Sequence, residues 1–82
     1  MELLVVVIPC FKASRHVLEV ISAIDEKVDK ILLVDDACPE GSGKLVEQQC
    51  QDPRVEVLYH SENKGVGAAV KTGYRRAWEL GA

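Results

Sequence analysis

Ile31-Leu32-Leu33-Val34-Asp35-Asp36 decides the fold. An unbroken apolar run ends on two acids, and continuous rather than alternating apolarity marks a parallel strand covered on both faces. Upstream, Leu3 to Ile8 repeats the pattern in a valine-rich run, and Pro9 is expected to stop that strand because it supplies no ladder donor. Downstream, Val55 to Tyr59 forms a third run, with Val55, Val57 and Tyr59 on one face and Leu58 on the other. Helical patterns separate the runs. Ser14 is placed to cap the first, whose inner face is Val17, Leu18, Ile21 and Ile24. After a loop marked by Pro39, Gly41 and Gly43, Ser42 is placed to cap a short second helix carrying Leu45 and Val46 and ending near Cys50 to Asp52. Val66, Val70, Gly73, Ala77 and Leu80 line a third helix, and Gly81 is placed to end it. The order β-α-β-α-β-α predicts an α/β fold, a three-layer half of a doubly wound parallel sheet.

Length and composition narrow the function. Eighty-two residues allow one domain, and 48% apolar with 28% charged residues describes a globular chain. The net charge is −3 and the nearest thing to a basic block is Arg75-Arg76, so a nucleic-acid partner is not expected. No run approaches the length of a membrane span, and Glu2 stands where a signal peptide would carry a cation. Cys10, Cys38 and Cys50 are odd in number and lack CxxC spacing, which fits a reducing, cytoplasmic-side location.

Open parallel sheets bind ligands beyond the carboxyl ends of their strands. Three unusual segments fall there: Pro9-Cys10-Phe11-Lys12, Asp35-Asp36-Ala37-Cys38, and His60 to Gly67. Strand side chains alternate, so Asp35 and Asp36 point to opposite faces. One carboxylate can face the crevice and accept from a ring imide or a ribose hydroxyl, while the other fixes the loop. A solvated loop with a capping Asp explains the same pair without a ligand. Asn63-Lys64-Gly65-Val66-Gly67 leads into the third helix, where Gly65 and Gly67 permit close backbone approach and the helix start offers N–H groups to an anion. An ordinary glycine-rich cap accounts for it equally. Lys71, one turn further, is either a phosphate contact or a surface lysine. Gly73 inside the helix implies tight helix–sheet packing.

Several look-alikes fail. Gly41-Ser42-Gly43-Lys44 lacks the glycine and the Ser or Thr that a P-loop needs at positions 38 and 45. The first turn lacks the clustered glycines of a dinucleotide fingerprint. Cys10, Cys38 and His60 have no metal-ligand spacing.

Together these segments resemble the N-terminal part of family 2 glycosyltransferases, inverting enzymes of GT-A fold that use nucleotide-diphosphate sugars. Val6-Val7-Ile8-Pro9-Cys10-Phe11-Lys12 resembles the opening strand and its IPxYN turn, with Lys12 in the place of Asn. Val34-Asp35-Asp36-Ala37-Cys38-Pro39-Glu40-Gly41-Ser42 resembles VDDxSxDxT, with Cys38 for the first Ser, Glu40 for Asp and Ser42 for Thr. Asn63-Lys64-Gly65-Val66-Gly67-Ala68-Ala69 with Gly73 is similar to NxGxGxAxxxG. The spacing from Gly73 to Ala77 and then Leu80-Gly81-Ala82 is similar to the branch that charges polyprenyl or dolichyl phosphate.

The resemblance implies the nucleotide-binding half of that fold. Pro9, Phe11 and the crevice-facing carboxylate, assigned to Asp36, would hold the base. Asp35 would support the loop, and Asn63, Gly65, Gly67 and Lys71 would border the nucleotide. It also implies a nucleotide-diphosphate sugar as donor, a lipid phosphate as acceptor, and Mg2+ or Mn2+ for the full-length enzyme. The metal-binding DxD and the catalytic base are expected after Ala82, so residues 1–82 are expected to bind base and ribose without transferring sugar. Membrane association is then expected through a missing C-terminal part. A non-catalytic nucleotide-binding or regulatory α/β module is the alternative. The first strand, lacking a fourth beside it, is expected to drive self-association through its open edge.

Overall fold

The computed structural model describes residues 3–11 and 16–82. Glu2, Lys12 and Ser14, which the sequence reading used, lie outside them. The elements are β1 (Val5–Cys10), α1 (Val17–Ser22), β2 (Lys30–Asp35), α2 (Ser42–Gln49), β3 (Val55–Tyr59) and α3 (Val66–Glu79). The strands form one parallel sheet in the order β1-β2-β3.

β2 is central, and Ile31, Leu32, Leu33 and Val34 are fully buried. This is what its unbroken apolarity requires, because helices cover both faces. Ile31 and Leu33 join Val6, Ile8, Cys10, Val55 and Val57 in a core packed against Val17 and Ile21 of α1 and Val46 of α2. On the opposite face α3 lies across β1 and β2. Its inner face is Ala69, Gly73 and Ala77. A Cβ on Gly73 would run into Val7 of β1, so the glycine sets how closely α3 approaches the sheet.

Four expectations are corrected. β1 does not stop at Pro9: it begins at Val5 and runs through Pro9 to Cys10. The carbonyls of Leu4 and Cys10 both accept from the β2 side. By backbone alternation Pro9 turns its nitrogen to the open edge, where a missing N–H breaks no ladder bond. α1 ends at Ser22, so Ile24 lies beyond the helix, although it still packs on the core. Ser42 does not cap α2; Gly41 precedes it at φ 69°, and the buried Ser42 lies 3.1 Å from the Cys38 sulfur. Val66 is 69% exposed, because the start of α3 overhangs the carboxyl edge of the sheet.

α3 stops as expected. Gly81 takes φ 98°, its N–H reaches the Trp78 carbonyl, and the Ala82 N–H reaches that of Ala77. These paired bonds make a Schellman motif.

Candidate functional site

The alternation that splits Asp35 from Asp36 is observed, and each carboxylate organises a different loop. Asp35 faces the α1/α2 side. Its Oδ1 accepts from the Cys38 N–H (2.7 Å) and its Oδ2 from the Gly43 N–H (2.8 Å), which holds the β2–α2 loop against the first turn of α2. A Cβ at Gly43 would stand 2.7 Å from that same Oδ2 and 2.6 Å from the Tyr59 ring, so only glycine lets α2 come this close.

Asp36 faces the α3 side and is 3% exposed. Its Oδ1 accepts from His60 Nδ1 (2.7 Å) and the Lys64 N–H (2.9 Å), and its Oδ2 accepts from the Gly65 N–H (2.8 Å). The His60 hydrogen bond, then the Lys64 N–H, hold the Asp36 carboxyl below its usual range, against the opposing effect of burial. Three of about four acceptor positions of the carboxylate are thereby engaged, leaving one on Oδ2.

His60 is the residue that sequence reasoning missed. On the sequence it figures in a metal cluster that fails for want of ligand spacing, whereas here it links three elements. Its Nδ1 meets Asp36 and its Nε2 lies 2.8 Å from Thr72 Oγ1 on α3. An ionised carboxylate only accepts, so Nδ1 donates. The signal was the register. Asp35 pairs with Tyr59, so Asp36 and His60 follow side by side on the same face. Among the described residues no group of three or more His, Cys, Asp or Glu is arranged to hold a metal.

The loop before α3 turns two of its donors inward. Its Lys64 and Gly65 N–H groups point to Asp36, while the N–H groups of Val66, Gly67 and Ala68, which open α3 itself, come before the first intrahelical bond, from Ala69 to the Gly65 carbonyl. Gly65 sits at φ 93°, ψ 163°, a conformation essentially restricted to glycine. Asn63 closes the turn by accepting from the Gly65 N–H (3.1 Å). Gly67 is exposed, and a Cβ there would meet nothing.

A cleft of about 230 Å³ opens at the carboxyl edge between these loops, lined by Pro9, Cys10, Phe11, Asp36, Val66 and Ala69. The structure thus brings Pro9, Phe11 and Asp36 to one cleft, with Asn63 and Gly65 behind Asp36. Asp35 belongs to the α2 side, and Lys71 is exposed on α3 outside the lining. A larger hollow of about 390 Å³ lies along α2 and β3, but Glu47, Asp52 and Glu56 line it. Its acids disfavour an anionic ligand, and it is remote from the strands' carboxyl ends.

Comparison with known proteins agrees with the architecture. The family model described as glycosyl transferase family 2 matches residues 5–78. A UDP-N-acetylglucosamine–dolichyl-phosphate N-acetylglucosaminyltransferase of Methanococcus voltae is 26% identical over 95 aligned positions, covering 99% of this chain and 38% of that protein. The glycosyltransferase GlyG of Streptococcus pneumoniae is 36% identical over 85% of this chain and 24% of its own length. An undecaprenyl-phosphate mannosyltransferase of Micrococcus luteus is 38% identical over 62% of this chain and 21% of its own length. The chain therefore spans well under half of each of these relatives. No solved structure matches significantly.

Proposed function

Since the chain belongs to glycosyl transferase family 2, we propose that the whole protein transfers a sugar, with inversion, from a nucleotide-diphosphate donor to a polyprenyl phosphate, and that these residues hold the donor's base and ribose. The polyprenyl acceptor rests on the activities for which the Methanococcus and Micrococcus relatives are named. The observation that carries the base-binding role is the cleft at the carboxyl edge, with apolar walls from Pro9, Phe11 and Val66 and the Asp36 carboxylate at its back. A flat ring fits between such walls, and the remaining acceptor position on Asp36 suits an imide N–H. The exposed Val66 becomes intelligible as a wall of the cleft.

Asp35 and Asp36 do not fit a metal. Their oxygens hold Cys38, Gly43, Lys64, Gly65 and His60, and they serve opposite faces of the sheet. We assign the Mg2+ or Mn2+ of the whole protein to other residues, and with it the clamping of the leaving diphosphate. By themselves residues 1–82 bind nucleotide and do not transfer sugar. The catalytic reaction takes place at the membrane surface that holds the acceptor, on its cytoplasmic side; no helix among the described residues is long and apolar enough to cross it.

The test is a titration of UDP and GDP into the labelled chain, followed by its amide spectrum. Shifts at Asp36, Val66 and Ala69 are expected, with affinity in the high micromolar to millimolar range, about −4 to −6 kcal/mol. A spectrum unmoved at several millimolar of both nucleotides rejects the reading. Release of diphosphate from a sugar nucleotide above a heat-killed control rejects the claim that these residues are inactive alone.

A further inference from the structure

Among the described residues the outer face of α3 is left uncovered. Lys71, Tyr74, Arg75 and Trp78 follow at i, i+3, i+4 and i+7, and all four are exposed. They lie on the side of the helix away from Ala69, Gly73 and Ala77, which pack on the sheet. Trp78, the single tryptophan, is 80% exposed and Tyr74 is 65% exposed. Burial contributes little to keeping two large rings there.

The charges of this face are segregated. Arg76, on the flank, is paired with Glu56 at 2.6 Å and with Glu79 at 3.3 Å, so the acid at the end of α3 is already answered. Among the described residues Lys71 and Arg75 take part in no ion pair. A chain of net charge −3 thus presents a stripe of two unpaired cations alternating with two amphipathic rings.

Such a combination suits an anionic lipid surface. Trp and Tyr favour the headgroup level, where an apolar ring and a polar tip are both accommodated, and Lys and Arg are drawn to acidic headgroups. We propose that the outer face of α3 rests on the anionic headgroup surface of the membrane that holds the polyprenyl-phosphate acceptor. The acceptor's place in this statement depends on the function proposed above. The docking surface itself depends only on α3.

Trp78 gives a direct readout. Its emission is recorded with the 82-residue chain added to phosphatidylcholine vesicles with and without phosphatidylglycerol, none containing polyprenyl phosphate. A blue shift with the acidic vesicles alone, reversed by salt, is expected. Lys71→Glu with Arg75→Glu should weaken partition roughly tenfold or more, since each cation near an acidic surface contributes about 1 kcal/mol. Circular dichroism checks that the fold is kept, and Arg75→Gln alone, a milder change, should lose part of the partition. No shift with acidic vesicles overturns the proposal. So does an equal shift with neutral vesicles, or an emission already that of a buried indole without vesicles, which would mean that another part of the chain or a second copy covers this face. Failure here with nucleotide shifts intact leaves the base-binding cleft standing. Docking without nucleotide shifts removes the cleft reading and leaves the surface.

Discussion

His60 Nδ1 stands 2.7 Å from Asp36 Oδ1, and the two residues lie side by side just past the ends of neighbouring strands. Through this contact the end of β3 fixes the carboxylate that the end of β2 delivers to the cleft. Nitrogen-15 spectra of the imidazole should therefore show a proton on Nδ1. His60→Ala should raise the Asp36 carboxyl toward its usual range and weaken nucleotide binding, while His60→Asn, which keeps a donor near Oδ1, should restore part of both. An unprotonated Nδ1 at neutral pH would overturn the assignment.

Asp35 and Asp36 should separate in mutation. Asp35→Ala leaves the Gly43 N–H buried without its acceptor, at roughly 1–3 kcal/mol of stability, with nucleotide affinity little changed. Asp36→Asn keeps shape but removes the acceptor charge that Lys64, Gly65 and His60 share, so affinity and stability should fall together. The resemblance gives Asp36 to the base and Asp35 to the loop; the three internal partners of Asp36 add a share in stability to its part in binding. Denaturation midpoints and affinities for both variants decide.

Gly73→Ala should destabilise the chain despite alanine's better helix propensity. The added methyl meets Val7, and α3 must lift from β1. Overpacking of this kind removes about 1–3 kcal/mol, against about 1 kcal/mol gained within the helix. Urea denaturation of the variant, and of Gly73→Ala with Val7→Ala, measures both. The second change should recover part of the loss.

Acid should unfold the chain through a small set of carboxyls. Arg54 holds Asp52 below its usual range, Arg76 does the same for Glu56, and His60 for Asp36. A group with a depressed folded pKa contributes its stability above the unfolded value and loses it as pH falls through the folded one. With ordinary values of 3.8 for Asp and 4.5 for Glu, stability should hold at neutral pH and decline below about pH 4.5. A thermal-melt series against pH tests this, and Glu56→Gln should flatten the upper part of the decline.

The open edge of β1 should cause the chain to associate. Among the described residues β1 pairs with β2 alone, so Val5 and Val7 direct backbone groups outward. Pro9 removes one donor from that edge, which makes it less inviting than the sequence suggested. Val5→Pro would remove another without touching the β2 ladder, and is a cleaner test than a charge at Val6, which packs on the core. Light scattering over a concentration series should show association of the parent chain and less in the variant. A parent chain that stays monomeric at several hundred micromolar rejects this.

The sequence carried most of the architecture, because burial on both faces leaves a signature that needs no partner to be recognised. β2 begins at Lys30 and β3 spans Val55 to Tyr59, as the apolar runs indicate. The apolar run sets β1 too early, because whether proline stops a strand depends on which side of the sheet its nitrogen faces. Periodicity sets Val66 inward because it shows which face a residue occupies but not where the helix outruns the sheet. The role of His60 is hidden for a similar reason: its partner is 24 residues away and is found only through strand register.

The start of α3 has a further consequence. The two donors of the loop just before it, Lys64 and Gly65, close on Asp36 and are thereby withdrawn from a ligand's phosphate. Here selectivity should lie in the heterocycle and the sugar attached to it, with the charged tail contributing little. Uridine or guanosine, stripped of phosphates, should then compete for the cleft about as well as the corresponding diphosphate.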